Sequence, residues 1–283
     1  MSGQHPFDAD TAVTLVDGDV PPVHPVATFA TTVSDRWGLM RAGGFANGGY
    51  VLATCLRAAA ARMPHPDPIA VSATYLSRVR FGPALIDVET LREGRRMSSA
   101  EIRLRQDKER VRVVATFGDL ASADGTTDLR NRAPELPPPD ECVAVQSEVM
   151  PGFTLGQRVQ YRYRDLPGWL SGEPSGDLTA EFWMRLAPGP DGSLRDADPI
   201  ALAGLVDMAT PPVIDLGETG STTIELSVHV RGRPAPGWLA CRVATRHVIA
   251  GYHEEDFEIW DGSGSLVAQS RQLAVLPSRR VAR

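Results

Sequence analysis

One carboxylate stands alone in an apolar stretch. Every residue from Ile200 to Val206 is apolar or glycine, Asp207 follows, and Met208 and Ala209 precede Pro211-Pro212. At about 100° per residue a helix through this stretch is apolar on all sides, the pattern of a buried helix. Asp207 then shares a face with Ile200, Ala203 and Gly204 in the middle of that helix. Proline ends it, having no N–H to give and excluding the α region for the residue before it. An unpaired buried carboxylate is costly, so this acid has partners or it has work. A second stretch, GGFANGGY at residues 43–50, could suggest a phosphate cradle. It lacks the G-x-G-x-x-G spacing and the P-loop lysine, so it reads as a tight helix start capped by Asn47. His229, His247 and His253 fall on strand-like segments without ligand spacing, so no metal site is expected. Arg92, Arg95, Arg96, Arg103, Arg105, Arg110 and Arg112 crowd one region. A solvated sheet face is the expectation for them and an anion-binding face the alternative.

The elements that position these groups are legible in outline. Residues 1–26 read as an irregular arm and residues 27–34, ATFATTVS, as a strand. Residues 48–62 form a second helix apolar on nearly all sides. Strand-like runs follow at 69–79, 84–93, 97–106 and 110–119, the last three joined by hairpin-length turns. Residues 126–145, rich in proline, read as an extended linker. Beyond it the order returns: strands at 157–164 and 179–187, the Asp207 helix, then strands at 222–230, 238–249, 252–261 and 265–276. The segment 88–117 overlays 242–272 with a shift of roughly 155 residues, an internal duplication. The expected fold is α+β, with two antiparallel sheets each wrapped around a central helix. The expected units are residues 1–125 and 146–283.

Composition narrows the classes. A chain of 283 residues with net charge −6 has no basic footprint for nucleic acid. Three scattered cysteines, Cys55, Cys142 and Cys241, make neither a disulfide framework nor a zinc knuckle and suit a reducing cytoplasm. The first ten residues, MSGQHPFDAD, have no basic or apolar leader region, and apolar runs fall short of a membrane span.

Five ordered segments resemble the acyl-CoA thioesterase II family, the TesB-like double hotdogs. They are GGFANGGYVLA (43–53), DVETLREGRRMSSAEIRL (87–104), ALAGLVDMATPPV (201–213), TTIELSVHVRGRP (222–234) and LVAQSRQLAV (266–275). The resemblance implies two hotdog units in one chain and hydrolysis of acyl-CoA to fatty acid and CoA, without a cofactor. It implies an acid, a hydroxyl residue and a glutamine that hold and activate a water. These fall on Asp207, on Thr223 and on Gln272, with Gln269 as the rival. Alternation along 266–275 independently favours Gln272, which shares a face with Leu266, Ala268, Ser270 and Ala274. The same alternation leaves Thr223 on the polar face of its strand, with Glu225, Ser227 and His229. Asn47, Gly48, Gly49 and Gly204 are the expected substrate-binding positions, where helix starts and glycines let a thioester approach backbone N–H groups. A homo-oligomer is implied by the resemblance. Two other functions compete: a catalytically weak acyl-CoA or lipid binder, and an enoyl-thioester hydratase or dehydratase. The second generally needs a histidine with the helix acid, and no histidine falls on either expected helix.

Overall fold

The computed structural model describes residues 4–16, 26–40, 44–145, 152–218 and 220–277. In the first half, the strands Val26–Val33, Gly82–Glu93, Ser98–Arg105, Glu109–Gly118 and Asp67–Tyr75 lie side by side in that order. They curve around the helix Gly48–Ala60, whose start is capped where the Tyr50 N–H donates to Asn47 Oδ1 at 3.0 Å. Alternation drives the layering. Ser98, Ala100, Ile102 and Leu104 are buried, while Ser99, Glu101, Arg103 and Arg105 face outward. On that outer face Arg103 pairs with Glu89 and Glu101, Arg105 with Asp87, and Arg112 with Glu109. Arg103, Arg105 and Arg112 therefore form a charge-paired solvated face, but Arg110, expected there too, is buried, where it donates to Ser77 at 3.1 Å and pairs with Asp107.

The second half repeats the plan. Its strands run in the order Thr222–Val230, Leu266–Val275, Tyr252–Trp260, Leu239–Ala244, Thr179–Leu186 and Val159–Tyr163. Its helix, Pro199–Leu205, starts with proline at the first turn, and Asp198 Oδ1 accepts the Ala201 N–H at 2.7 Å. The two half-sheets do not stand apart. Asp67–Tyr75 pairs antiparallel with Thr222–Val230, Val71 opposite Val228, and joins them into one sheet of fourteen strands among the described residues. The two central helices meet on its inner side through glycine. A Cβ on Gly49 would lie 2.0 Å from the Gly204 carbonyl oxygen, and one on Gly204 would lie 2.9 Å from that of Gly49. No larger residue permits this crossing.

Three local expectations change. The arm is not wholly irregular: Pro6–Asp10 is a short helix that buries Phe7 against Trp37, and Asp10 accepts the Trp37 indole N–H at 2.9 Å. The expected strand 238–249 is broken. Leu239–Ala244 ends, and Val248–Ile249 folds back on Tyr252–Trp260 through a turn with Ala250 and Gly251 at positive φ. The proline-rich linker is anchored along the second half, where Trp183 donates to the Pro137 carbonyl at 2.8 Å and Asn131 to Glu258 at 2.9 Å. Residues 17–25 of the arm, residues 41–43 of the glycine-rich stretch and residues 146–151 lie outside the described residues. Among the described residues no helix is long and apolar enough to cross a membrane. The three cysteines are unpaired and buried.

Candidate active site

Asp207 is not in mid-helix. The second central helix ends at Leu205, and Asp207 sits in the turn beyond it. Its N–H donates to the Gly204 carbonyl at 3.1 Å and that of Met208 to Leu205 at 3.0 Å, a tightened last turn. A helix continued to Pro211 would drive the proline ring into the carbonyl four residues back, that of Asp207. Side chains from elsewhere take up the freed carbonyls instead. Asn47 Nδ2 donates to the Asp207 carbonyl at 2.8 Å, and the Tyr161 hydroxyl donates to that of Met208. Asn47 thus works with both ends of its amide, capping one central helix and clasping the end of the other.

The Asp207 side chain is turned to the start of the first central helix. Its Oδ2 lies against Gly48, and the Gly49 N–H pulls on its charge, so the acid meets the positive end of a thirteen-residue helix. Glycine at position 48 makes this approach possible, because a Cβ there would lie 2.5 Å from Asp207 Oδ2 and 3.1 Å from the Tyr75 ring. The Tyr75 hydroxyl donates to the Gly48 carbonyl at 3.0 Å. Protein encloses the carboxyl while part of the residue stays open. Loss of water pushes its pKa up to about 7, against the pull of the Gly49 N–H. A carboxyl so placed changes protonation near neutral pH, as a general base must.

Thr223 and Gln272 are in contact. The Thr223 hydroxyl donates to Gln272 Oε1 at 3.0 Å. Strict alternation puts Thr223 on the outer face, but the pairing with Leu266–Val275 shifts register between Thr223 and Glu225. This bulge leaves Thr223 opposite Ala274 and Leu226 opposite Gln272, so Thr223 joins the inner face. Gln272 is buried there, while Gln269 lies among outward residues opposite His229 and Glu258.

A fourth group was missed in the sequence. Glu255, 3% exposed, lies directly opposite Gln272 on the neighbouring strand. Burial and the charge of Asp207 push its pKa up to about 8, against a hydrogen bond from Gln272. The charge of Asp207 thus bears on Glu255, and Glu255 stands across the strand pair from Gln272, the partner of Thr223. A signal was present: along Tyr252–Trp260, Glu255 alternates in step with Phe257 and Ile259, an acid in an apolar row. The glycines divide by role. Gly48 faces the carboxylate, whereas the room left by Gly49 and Gly204 is filled by the opposite helix. No group of three or more His, Cys, Asp and Glu among the described residues could hold a metal ion.

Two family models match the chain. One, described as the acyl-CoA thioesterase N-terminal domain, covers residues 34–118, and the other, the acyl-CoA thioesterase C-terminal domain, covers residues 136–276. An uncharacterized protein of Mycobacterium tuberculosis is 28% identical over 300 residues, spanning 95% of this chain and 98% of its own. A Thermobifida fusca structure described as a proposed thioesterase II superposes with a TM-score of 0.82 at 25% identity, covering 98% of this chain and 100% of that one. A hot dog fold protein of unknown function from Alicyclobacillus acidocaldarius gives 0.81 at 22% identity, covering 98% and 99%.

Proposed function

The chain belongs to the acyl-CoA thioesterase family, and on that premise we propose that it hydrolyses acyl-CoA to a free fatty acid and CoA, using a water activated by Asp207, Thr223 and Gln272. The observation that carries this reading is the Asp207 carboxyl, enclosed by protein against the start of the first central helix, where a Cβ on Gly48 would lie 2.5 Å from its Oδ2. Asp207 takes a proton from the water as its oxygen attacks the thioester carbonyl carbon. The C–S bond then breaks and the proton passes to the departing sulfur. General-base assistance of this kind contributes roughly 10²–10⁴-fold. Thr223 has committed its proton to Gln272, so its oxygen accepts from the water, while the Gln272 amide N–H donates to it. Of the leading N–H groups of the first central helix, that of Gly49 serves Asp207 and that of Tyr50 serves Asn47. The reading therefore assigns the carbonyl oxygen to the Gly48 N–H and the helix dipole. Asn47, Gly49 and Gly204 support that wall by holding the two helices together. A cytoplasmic setting and assembly into a homo-oligomer belong to the same proposal, the first supported by the three unpaired cysteines.

The test is a panel of short, medium and long acyl-CoAs assayed for free CoA with a thiol reagent. Release of CoA from at least one supports the reading. Measurable binding with no turnover on any would replace it with an acyl-CoA binder, and hydration of an enoyl-CoA with a hydratase.

A further inference from the structure

Glu255 is expensive where it is. An acid on the inner face of a sheet, in an apolar row, costs more to bury than the leucine that would pack there. Among the described residues its buried Oε2 has no hydrogen-bond partner, and buried polar atoms of native structures are seldom unpaired without a reason. Its surroundings are specific. Gln272 stands directly across the strand pair from the Glu255 carboxyl, and both side chains are buried. Gln272 Oε1 already accepts from Thr223, so the group it turns to Glu255 is its NH2. A glutamine amide is nearly symmetric in shape, and only its partners decide which end points where. Reversed, Gln272 would offer its NH2 to Thr223 and an oxygen to Glu255, an oxygen that the acceptor-only carboxylate repels and that Glu255 meets only when protonated. That exchange would invert every donor and acceptor presented to a water.

We propose that Glu255 is a positioning residue of this site, locking the Gln272 amide in the orientation that leaves its second N–H and the Thr223 oxygen for the attacking water. The proposal rests on the hydrolytic reading above. It extends the water-holding apparatus from three side chains to four, as one chain from Thr223 through Gln272 to Glu255. Such a chain acts as a unit, because removal of its last acceptor frees the amide to turn.

Two substitutions separate positioning from packing. Glu255→Gln keeps an acceptor oxygen for Gln272, and Glu255→Leu keeps the volume without one. The expected result is kcat within about threefold of wild type for Glu255→Gln. For Glu255→Leu kcat falls roughly 10- to 100-fold with KM little changed, the scale of a misplaced reacting group. A second readout is independent of turnover: solvent exchange of the Gln272 side-chain NH2, followed by NMR in nitrogen-labelled protein. Its signals are identified by their loss in Gln272→Ala. They are expected to be protected in wild type and Glu255→Gln and to exchange rapidly in Glu255→Leu, with Glu255→Met as the substitute if the leucine variant does not fold. A folded Glu255→Leu with wild-type kcat, or with the Gln272 NH2 still protected, overturns the proposal. If wild-type protein hydrolyses no acyl-CoA, the hydrolytic reading fails by itself, and the exchange measurement alone then decides whether Glu255 holds Gln272.

Discussion

Gly48→Ala adds one methyl group, and the structure says where it goes. The new Cβ would lie 2.5 Å from Asp207 Oδ2. Ordinary contact begins at 3.4 Å, so the carboxylate must withdraw by about 0.9 Å or the first helix must back away. Asp207 is the softer party, because its oxygen ends a side chain while the methyl is fixed to a helix. Its withdrawal weakens the Gly49 N–H bond and carries the base away from the water. A misplacement near 1 Å costs about 10²-fold in rate. Stability moves little, since alanine in a first helical turn gains less than about 1 kcal/mol over glycine and relief of the clash offsets part of it. For a chain of this size that is a Tm change of no more than about 4 °C. Steady-state hydrolysis with the best acyl-CoA of the panel, beside a circular dichroism melt, gives both numbers. The expected outcome is kcat down roughly 30- to 100-fold with KM and Tm nearly unchanged. A Gly48→Ala protein with wild-type kcat would refute the claim that the Asp207 carboxylate must sit against the helix start.

Asn47 offers a paired test. Asn47→Asp keeps the cap on Tyr50 but loses the donor to the Asp207 carbonyl, whereas Asn47→Ala loses both. Urea melts should show Asn47→Ala less stable by about 1–2 kcal/mol, and both variants should lose activity; an active Asn47→Asp would detach the clasp from catalysis. The rate should depend on pH. With Asp207 at about 7, kcat/KM should fall tenfold per unit below about pH 7. Because Glu255 titrates at about 8 beside it, the limb reports the pair rather than one residue. A flat profile from about two units below the limb to about one unit above it would contradict this assignment. Stability should run the other way. Both acids hold protons in the folded state that the unfolded chain, with values of 3.8 and 4.5, has released. Folding is therefore linked to proton uptake, and stability should decline as pH rises from about 4 to about 8. Asp207→Asn combined with Glu255→Gln should flatten that decline in denaturant melts at stepped pH; a double variant with the wild-type slope would show that other groups cause it.

The fold was legible because both central helices are apolar around their circumference and the strands alternate cleanly. Such patterns report burial, and burial is most of what a sheet-wrapped helix requires. The joining of the half-sheets was not legible, because pairing Val71 with Val228 is a long-range choice between two ordinary-looking strands. At the site, the sequence singled out Asp207 as an acid among apolar residues, yet the end of its helix depends on Asn47 and Tyr161 claiming carbonyls from other elements. Thr223 looked misdirected because period-two reasoning has no way to see a bulge, and the register shift before Glu225 turns its face. Glu255 was readable from its apolar row but carried no motif to draw attention to it. Its meaning comes from the cross-strand register with Gln272, which only the folded sheet supplies.

The measurement closest to the centre of this account is single-turnover hydrolysis of acyl-CoA by wild type and by Asp207→Asn in oxygen-labelled water, with the free acid read by mass spectrometry. The amide can still accept the Gly49 N–H, so the fold and substrate binding should persist while the base is gone. The account predicts one labelled oxygen in the acid released by wild type and a rate for Asp207→Asn lower by roughly 10²–10⁴-fold. Equal rates for the two proteins would contradict it.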